Sequence, residues 1–207
     1  MIDELRIYRL VPGGLADYLK HAGEVAMRLR GDDYGKLLGF WYAEIGAVNC
    51  AFNLWQHQDL NSRQALRAGL ETKSEWHTQY LSLVQPLMQQ TVIRLMTAVS
   101  SVSAPARAGN TYELRIIRTK AGRANELAAR LKDDLPLEMQ AATVGIWTTF
   151  ASTLNEVVHL TAYRDVRQRL ERSLQHADWQ RFMKQHGPLA EEIDSSLLIP
   201  AKFSPLQ

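Results

Sequence analysis

The chain is poor in the features that would staple it or anchor it. Cys50 is its single cysteine, so no internal disulfide can form, and a reducing compartment, the cytoplasm, is expected. No apolar run approaches the ~20 residues of a membrane span. Met1-Ile2 leads straight into Asp3-Glu4-Leu5-Arg6, with no basic segment followed by an apolar one, so neither membrane insertion nor a signal peptide is expected. The formal net charge is only +2, without the concentrated basic surface of a phosphate-backbone binder, which argues against nucleic acid as a partner. No two histidines share a helix at metal-ligand spacing, and with a single cysteine no metal site is expected. Gly13-Gly14 lacks the lysine and serine of a phosphate loop, and no Gly-x-Ser-x-Gly elbow exists; no cofactor is expected.

What is present is a globular composition, 46% hydrophobic and 22% charged, and an internal repeat. Glu4-Leu5-Arg6-Ile7 recurs as Glu113-Leu114-Arg115-Ile116, and Arg9 as Arg118. Gly39 and Trp41 recur as Gly145 and Trp147. Asn49, Leu54, Asp59 and Arg63 recur as Asn155, Leu160, Asp165 and Arg169, then Trp76 as Trp179 and Pro86 as Pro188. The order never breaks. The Ser-, Pro- and Gly-rich stretch around Ser100–Asn110 reads as a linker. Two repeats are therefore expected, 1–101 and 111–207, joined by 102–110.

Each half reads β-α-β-β-α-β. Residues 4–11 alternate as a strand, and Pro12-Gly13-Gly14 ends it. Leu15, Tyr18, Leu19, Ala22, Val25 and Leu29 recur at helical spacing. Strands follow at 36–44 and 48–57, then a helical region capped by Asn61 or Ser62, then a β-branched strand at 91–99. That order is the ferredoxin-like split βαβ, which covers one sheet face with helices and leaves the other bare. The expected fold class is α+β: tandem ferredoxin-like repeats whose bare faces close an intramolecular dimeric α/β-barrel.

The run Leu38-Gly39-Phe40-Trp41-Tyr42-Ala43-Glu44-Ile45-Gly46, then Asn49 with Leu54-Trp55, and the ending Phe203-Ser204-Pro205, resemble the NIPSNAP family. The resemblance covers almost the whole chain, once per half. It departs in the second half, where Thr148, Phe150 and Thr161 replace the tyrosine, the acid and the tryptophan. In the first half Asn53 and His57 stand where the family's third strand carries a histidine and an aromatic; the second half keeps both as His159 and Tyr163. The resemblance implies the dimeric α/β-barrel superfamily. Its members include cofactor-free monooxygenases of aromatic molecules, isomerases, haem-handling enzymes and proteins without known catalysis. NIPSNAP members have no well-defined reaction.

The third strand of each half is the expected pocket wall. Successive side chains alternate, so Asn49, Asn53, Trp55 and His57 share one face, as do Asn155, His159, Thr161 and Tyr163. His159, with Tyr163, is the candidate for proton handling, against a purely structural reading or a haem ligand. Arg6 and Arg115 read as structural ion pairs with Glu4 and Glu113, or as anion-binding groups. Trp41, with Tyr42, and Trp147 follow Gly39 and Gly145, where the missing side chain leaves room for an indole or a flat ligand. Trp76 and Trp179 read as core anchors, and Arg164, Arg167, Arg169 and Arg172 as a solvated helix face.

Two functions follow. One is binding or transformation of a small apolar or aromatic molecule in a barrel pocket, by proton transfer or cofactor-free oxygenation if catalytic. The other is a non-catalytic scaffold for protein partners. A monomer or a homodimer of the two-repeat chain is expected.

Overall fold

Alternation of apolar with other side chains sets the strands. The computed structural model describes residues 1–172 and 176–207. In the first half β1 (Ile2–Leu10), β2 (Lys36–Ile45), β3 (Cys50–His57) and β4 (Met88–Ser100) pair in the order β4-β1-β3-β2. In the second, β5 (Thr111–Thr119), β6 (Thr143–Ala151), β7 (Glu156–Tyr163) and β8 (Ala190–Pro200) pair as β8-β5-β7-β6. Both are the ferredoxin-like order. The fold class is α+β, as the repeat implied. Residues 101–110 carry neither helix nor strand.

Helices cover one face of each sheet. Helix α1 runs through Leu15–His21, a π-helical turn at Ala22–Ala26, and Met27–Arg30. Helix α2 is Leu60–Glu71, and α3 joins a π-helical Trp76–Leu81 to Ser82–Val84. In the second half α4 is Ala124–Asp133, α5 Leu137–Ala142, α6 Val166–Glu171 and α7 Ala177–His186. The cap of α2 is Asp59, whose carboxylate accepts from Ser62 N at 2.7 Å; Asp165 caps α6 the same way through Gln168 N at 2.8 Å. The aspartates lie three residues ahead of the backbone donors they satisfy, so Asp59 rather than Asn61 or Ser62 starts the helix. No helix among the described residues is long and apolar enough to cross a membrane.

The chain divides into two compact units. The first comprises Met1–Ala43, Ala47–Leu95 and Pro200–Gln207; the second, Glu44–Gly46 and Met96–Ile199. The Phe203-Ser204-Pro205 ending therefore belongs with the first unit. Phe203 packs on Phe40 with ring centroids 4.8 Å apart, and Phe40 N donates to Ser204 Oγ at 2.9 Å.

Each unit buries a carboxylate between two guanidinium groups. Glu4 on β1 pairs with Arg6 on the same strand and with Arg63 on α2. Glu113 on β5 repeats the arrangement with Arg115 at 2.5 Å and Arg169 of α6 at 2.7 Å, and also accepts from Ser195 Oγ at 2.6 Å. Burial pushes both carboxyls up, and the guanidinium groups more than offset it, so both titrate below the ordinary glutamate value. Arg169 thus leaves the solvated row expected for Arg164–Arg172: it spans from the helix to the sheet.

On the face of the first sheet turned away from its helices, the buried Trp41 lies in a row with Phe52 and Ile7, and its indole fills the space over Gly39. Trp147 fills the space over Gly145 in the same way. A Cβ on either glycine would overlap the six-membered ring.

Glu113→Ala leaves Arg115 and Arg169 without their shared carboxylate, and should cost about 3–5 kcal/mol in urea unfolding. Arg118→Ala, which breaks only exposed pairs with Glu191 and Glu192, should leave the midpoint unchanged.

Candidate functional site

Register decides which side chains meet. Residues directly opposite in an antiparallel ladder point to the same face. In the first unit Arg6, Asn53 and Phe40 form one row beneath the helices, Tyr8, Ala51 and Tyr42 the next, and Glu4, Trp55 and Leu37 the one beyond. The matching rows of the second unit are Arg115–His159–Ile146, Ile117–Val157–Thr148 and Glu113–Thr161.

Between the first sheet and its helices lies a cavity of about 200 Å³. The strands contribute Arg6, Tyr8, Phe40, Asn53 and Trp55 to its wall. Helix α1 contributes Tyr18, Ala22, Ala26, Met27 and Arg30, and α3 contributes Trp76, Tyr80, Leu81 and Val84. Arg67 and the exposed Glu71 of α2, with the exposed Thr91 of β4, stand where it opens. Both π-helical turns border it. Such turns are rare in helices and recur at functional sites.

Polar atoms hold the wall in place. Trp55 Nε1 donates to Asn53 Oδ1 at 2.6 Å, Arg6 donates to the Tyr8 hydroxyl at 2.8 Å, and Tyr18 and Tyr80 share a hydroxyl hydrogen bond. Burial raises the Tyr18 and Tyr80 phenols, so both stay protonated across the physiological range. Arg30 stacks on Trp55, its guanidinium carbon 3.4 Å from the ring centroid, and donates to the Tyr34 carbonyl at 2.8 Å. Burial, then the neighbouring Arg67 and Arg6 charges, brings its pKa down to about 10, so it remains a cation near neutrality.

Among the described residues the equivalent space of the second unit is much smaller. A void of about 10 Å³ remains among Arg115, His159, Thr161, Tyr163 and Trp179, with room for about one water. At the repeat offset, Ala22 and Ala26 correspond to Leu131 and Leu135, both buried in the second core. Tyr8, Phe40 and Trp55 correspond to Ile117, Ile146 and Thr161. Leu135, just past the end of α4, lines what remains of that space, where Ala22 and Ala26 border the open cavity of the first unit.

Several expected residues take other places. His159 and Tyr163 are brought together, but in this void. The His159 Nε2 lies 3.0 Å from Thr143 Oγ1, and burial, helped by the Arg115 charge, holds its pKa down at about 3. It is therefore neutral near physiological pH. Trp41 and Trp147 each face away from the helices of their own unit, Trp41 on the opposite side of the sheet from the cavity. Asn49 and Asn155 adopt left-handed conformations, φ 57° and 59°, in the β2–β3 and β6–β7 turns. Asparagine tolerates that conformation, and Asn155 Oδ1 also accepts from Gly122 N at 2.9 Å. Their recurrence is a turn signature. His57 packs in the space over Gly35, its Nε2 3.9 Å from Glu4, and Tyr42 is half-buried outside the cavity wall.

Arg30, Tyr18, Tyr80 and Arg67 were absent from the sequence-based site. One signal pointed to Tyr80. The offset between repeats falls from 103 at Trp76 to 102 at Pro86, so the first half holds one extra residue there. The π-helical Trp76–Leu81 lies in that interval and has the geometry that absorbs such a residue.

His159 binds a proton in the unfolded chain below its ordinary pKa of about 6.5 but not in the folded one, so stability falls as pH drops from about 6.5 towards 3. His159→Gln should remove on the order of 1 kcal/mol of the loss between pH 6.5 and 5, read from urea midpoints at the two values.

The NIPSNAP family profile matches residues 3–102 and 112–205. Human NipSnap homolog 3B is 29% identical over 122 residues, 58% of this chain, and the match spans about half of that protein, 48%. A NipSnap homolog of Dictyostelium discoideum is 21% identical over 98% of this chain and 88% of its own length. Among solved structures, a putative monooxygenase from Lactobacillus acidophilus NCFM superposes with a TM-score of 0.66 over 97% of this chain and 94% of that one, at 9% identity. At that identity the likeness carries the fold alone. Matched once by each repeat, the chain belongs to the NIPSNAP family.

Proposed function

We propose that the first unit binds a small aromatic molecule between its sheet and its helices, and that the second unit is a filled counterpart whose role is structural. The observation that carries this reading is the cavity of about 200 Å³ walled by Tyr8, Tyr18, Phe40, Trp55, Trp76 and Tyr80. It is smaller than the roughly 300–1,000 Å³ of pockets for drug-sized ligands, so it suits a molecule of one or two rings. Flat rings stack favourably on such walls. Fixed donors and acceptors at Arg6, Asn53 and the tyrosines supply orientation.

The wall is better equipped to position than to abstract a proton. Tyr18, Tyr80 and Arg30 all stay protonated, and the one carboxylate among its described residues, Glu71, is exposed at the opening. Cofactor-free oxygenation also begins with loss of a proton, to give the electron-rich anion that reacts with dioxygen, so it fits this wall only for a ligand that enters already ionised.

Single-ring aromatic compounds, neutral and anionic, should quench the tryptophan fluorescence of the wild-type chain and appear as bound mass in native spectra. The double variant Ala22→Leu/Ala26→Leu, which copies the filling of the second unit, should weaken that binding by about tenfold or more while keeping a cooperative unfolding transition. Undiminished binding in the variant would place the ligand elsewhere. No binding by the wild type to any of these compounds would return the chain to the scaffold reading.

A further inference from the structure

We infer that the ligand of this cavity is an anion: a planar aromatic molecule bearing one negatively charged oxygen group, held by Arg30. The inference rests on the proposed reading of the cavity as an aromatic site and adds the charge of its occupant.

Arg30 is 7% exposed, lies on the cavity wall, and has no carboxylate partner among the described residues. Its sister cations are arranged differently. Arg6 and Arg63 share Glu4, and Arg67 lies 3.7 Å from Glu71. Around the cavity, four guanidinium groups (Arg6, Arg30, Arg63 and Arg67) thus stand against two carboxylates (Glu4 and Glu71). His57 adds no charge near neutrality, because burial lowers its pKa.

A buried charge without a counter-ion is costly, and proteins resolve the cost by pairing or by binding. The Trp55 face and one backbone carbonyl engage Arg30 only in part. Of its guanidinium nitrogens, one donates to Tyr34 O, and Nε meets no acceptor among the described residues. Trp76 Nε1, also buried on the wall, likewise has no acceptor. Unsatisfied groups beside the cavity are donors, so the complementary ligand brings acceptors. A guanidinium fork matches a carboxylate or a related oxyanion in geometry as well as sign. The stack on Trp55 holds that fork in a fixed plane.

The test compares benzoate with benzamide, its neutral analogue of nearly the same shape, on the full chain at neutral pH by tryptophan fluorescence and isothermal titration. Benzoate should bind the wild type roughly tenfold tighter or more, with the preference shrinking as salt is added. Arg30→Gln should bring benzoate to the affinity of benzamide, and Arg30→Lys should retain part of the preference. Equal affinities for the wild type, or a preference that survives Arg30→Gln, would overturn the anion while leaving the aromatic site standing. Failure of both compounds to bind would overturn both. The wild-type comparison decides even if Arg30→Gln does not fold.

Discussion

Two strand glutamates, each closed in by a pair of arginines, tie the rest of this protein together. Glu4 sits on β1 at the centre of its sheet, and Arg63 reaches it from α2. That bond draws a helix onto the sheet beside the cavity and orients Arg6, which in turn donates to Tyr8 on the wall. Such a buried cluster adds little net stability over a well-packed apolar one. Its contribution is register, because a one-residue slip of β1 would carry the glutamate to the wrong face. The same cluster recurs around Glu113, so the scaffold is shared while the space beside it is not.

The two units diverge where the helices face the sheet. Leucines fill the second unit, and α4 and α7 are regular α-helices. Alanines and two π-helical turns leave the first unit open. An open apolar cavity forfeits dispersion contacts, and a π turn is a poorer helix than an α turn. The first unit carries both costs beside a buried cation lacking a counter-ion. These costs coincide in one place, and that coincidence supports the proposed binding site.

The repeat made the fold legible, since strand alternation, the two glycine–tryptophan pairs and the order of elements all recur. The site was legible only in its strand face. Asn53 and Trp55 follow from alternation, because a period of two is local. Arg30, Tyr18 and Tyr80 do not. On a helix the pattern says which side chains point inward, but not whether the volume between layers is filled, and that depends on partners far along the chain. Alanine at 22 and 26 reads as ordinary core until leucine at 131 and 135 is set beside it. The state of His159 is hidden for a related reason: strand position tells that an imidazole faces the helices, while its burial, and hence its protonation, is set by residues remote in sequence. Asn49 and Asn155 stand just before their strands rather than within them, and a left-handed turn residue alternates with nothing.

The placement of Pro200–Gln207 in the first unit bears on how the chain is made. Phe203 lies against Phe40 and in the gap over Gly23, within the π-helical turn beside the cavity. Domains emerging from a ribosome generally fold from the N-terminus as each is completed. Here the first unit lacks its final segment until the second has been synthesised, so the half that begins first is finished last, with Phe40 and the α1 turn uncovered during the interval.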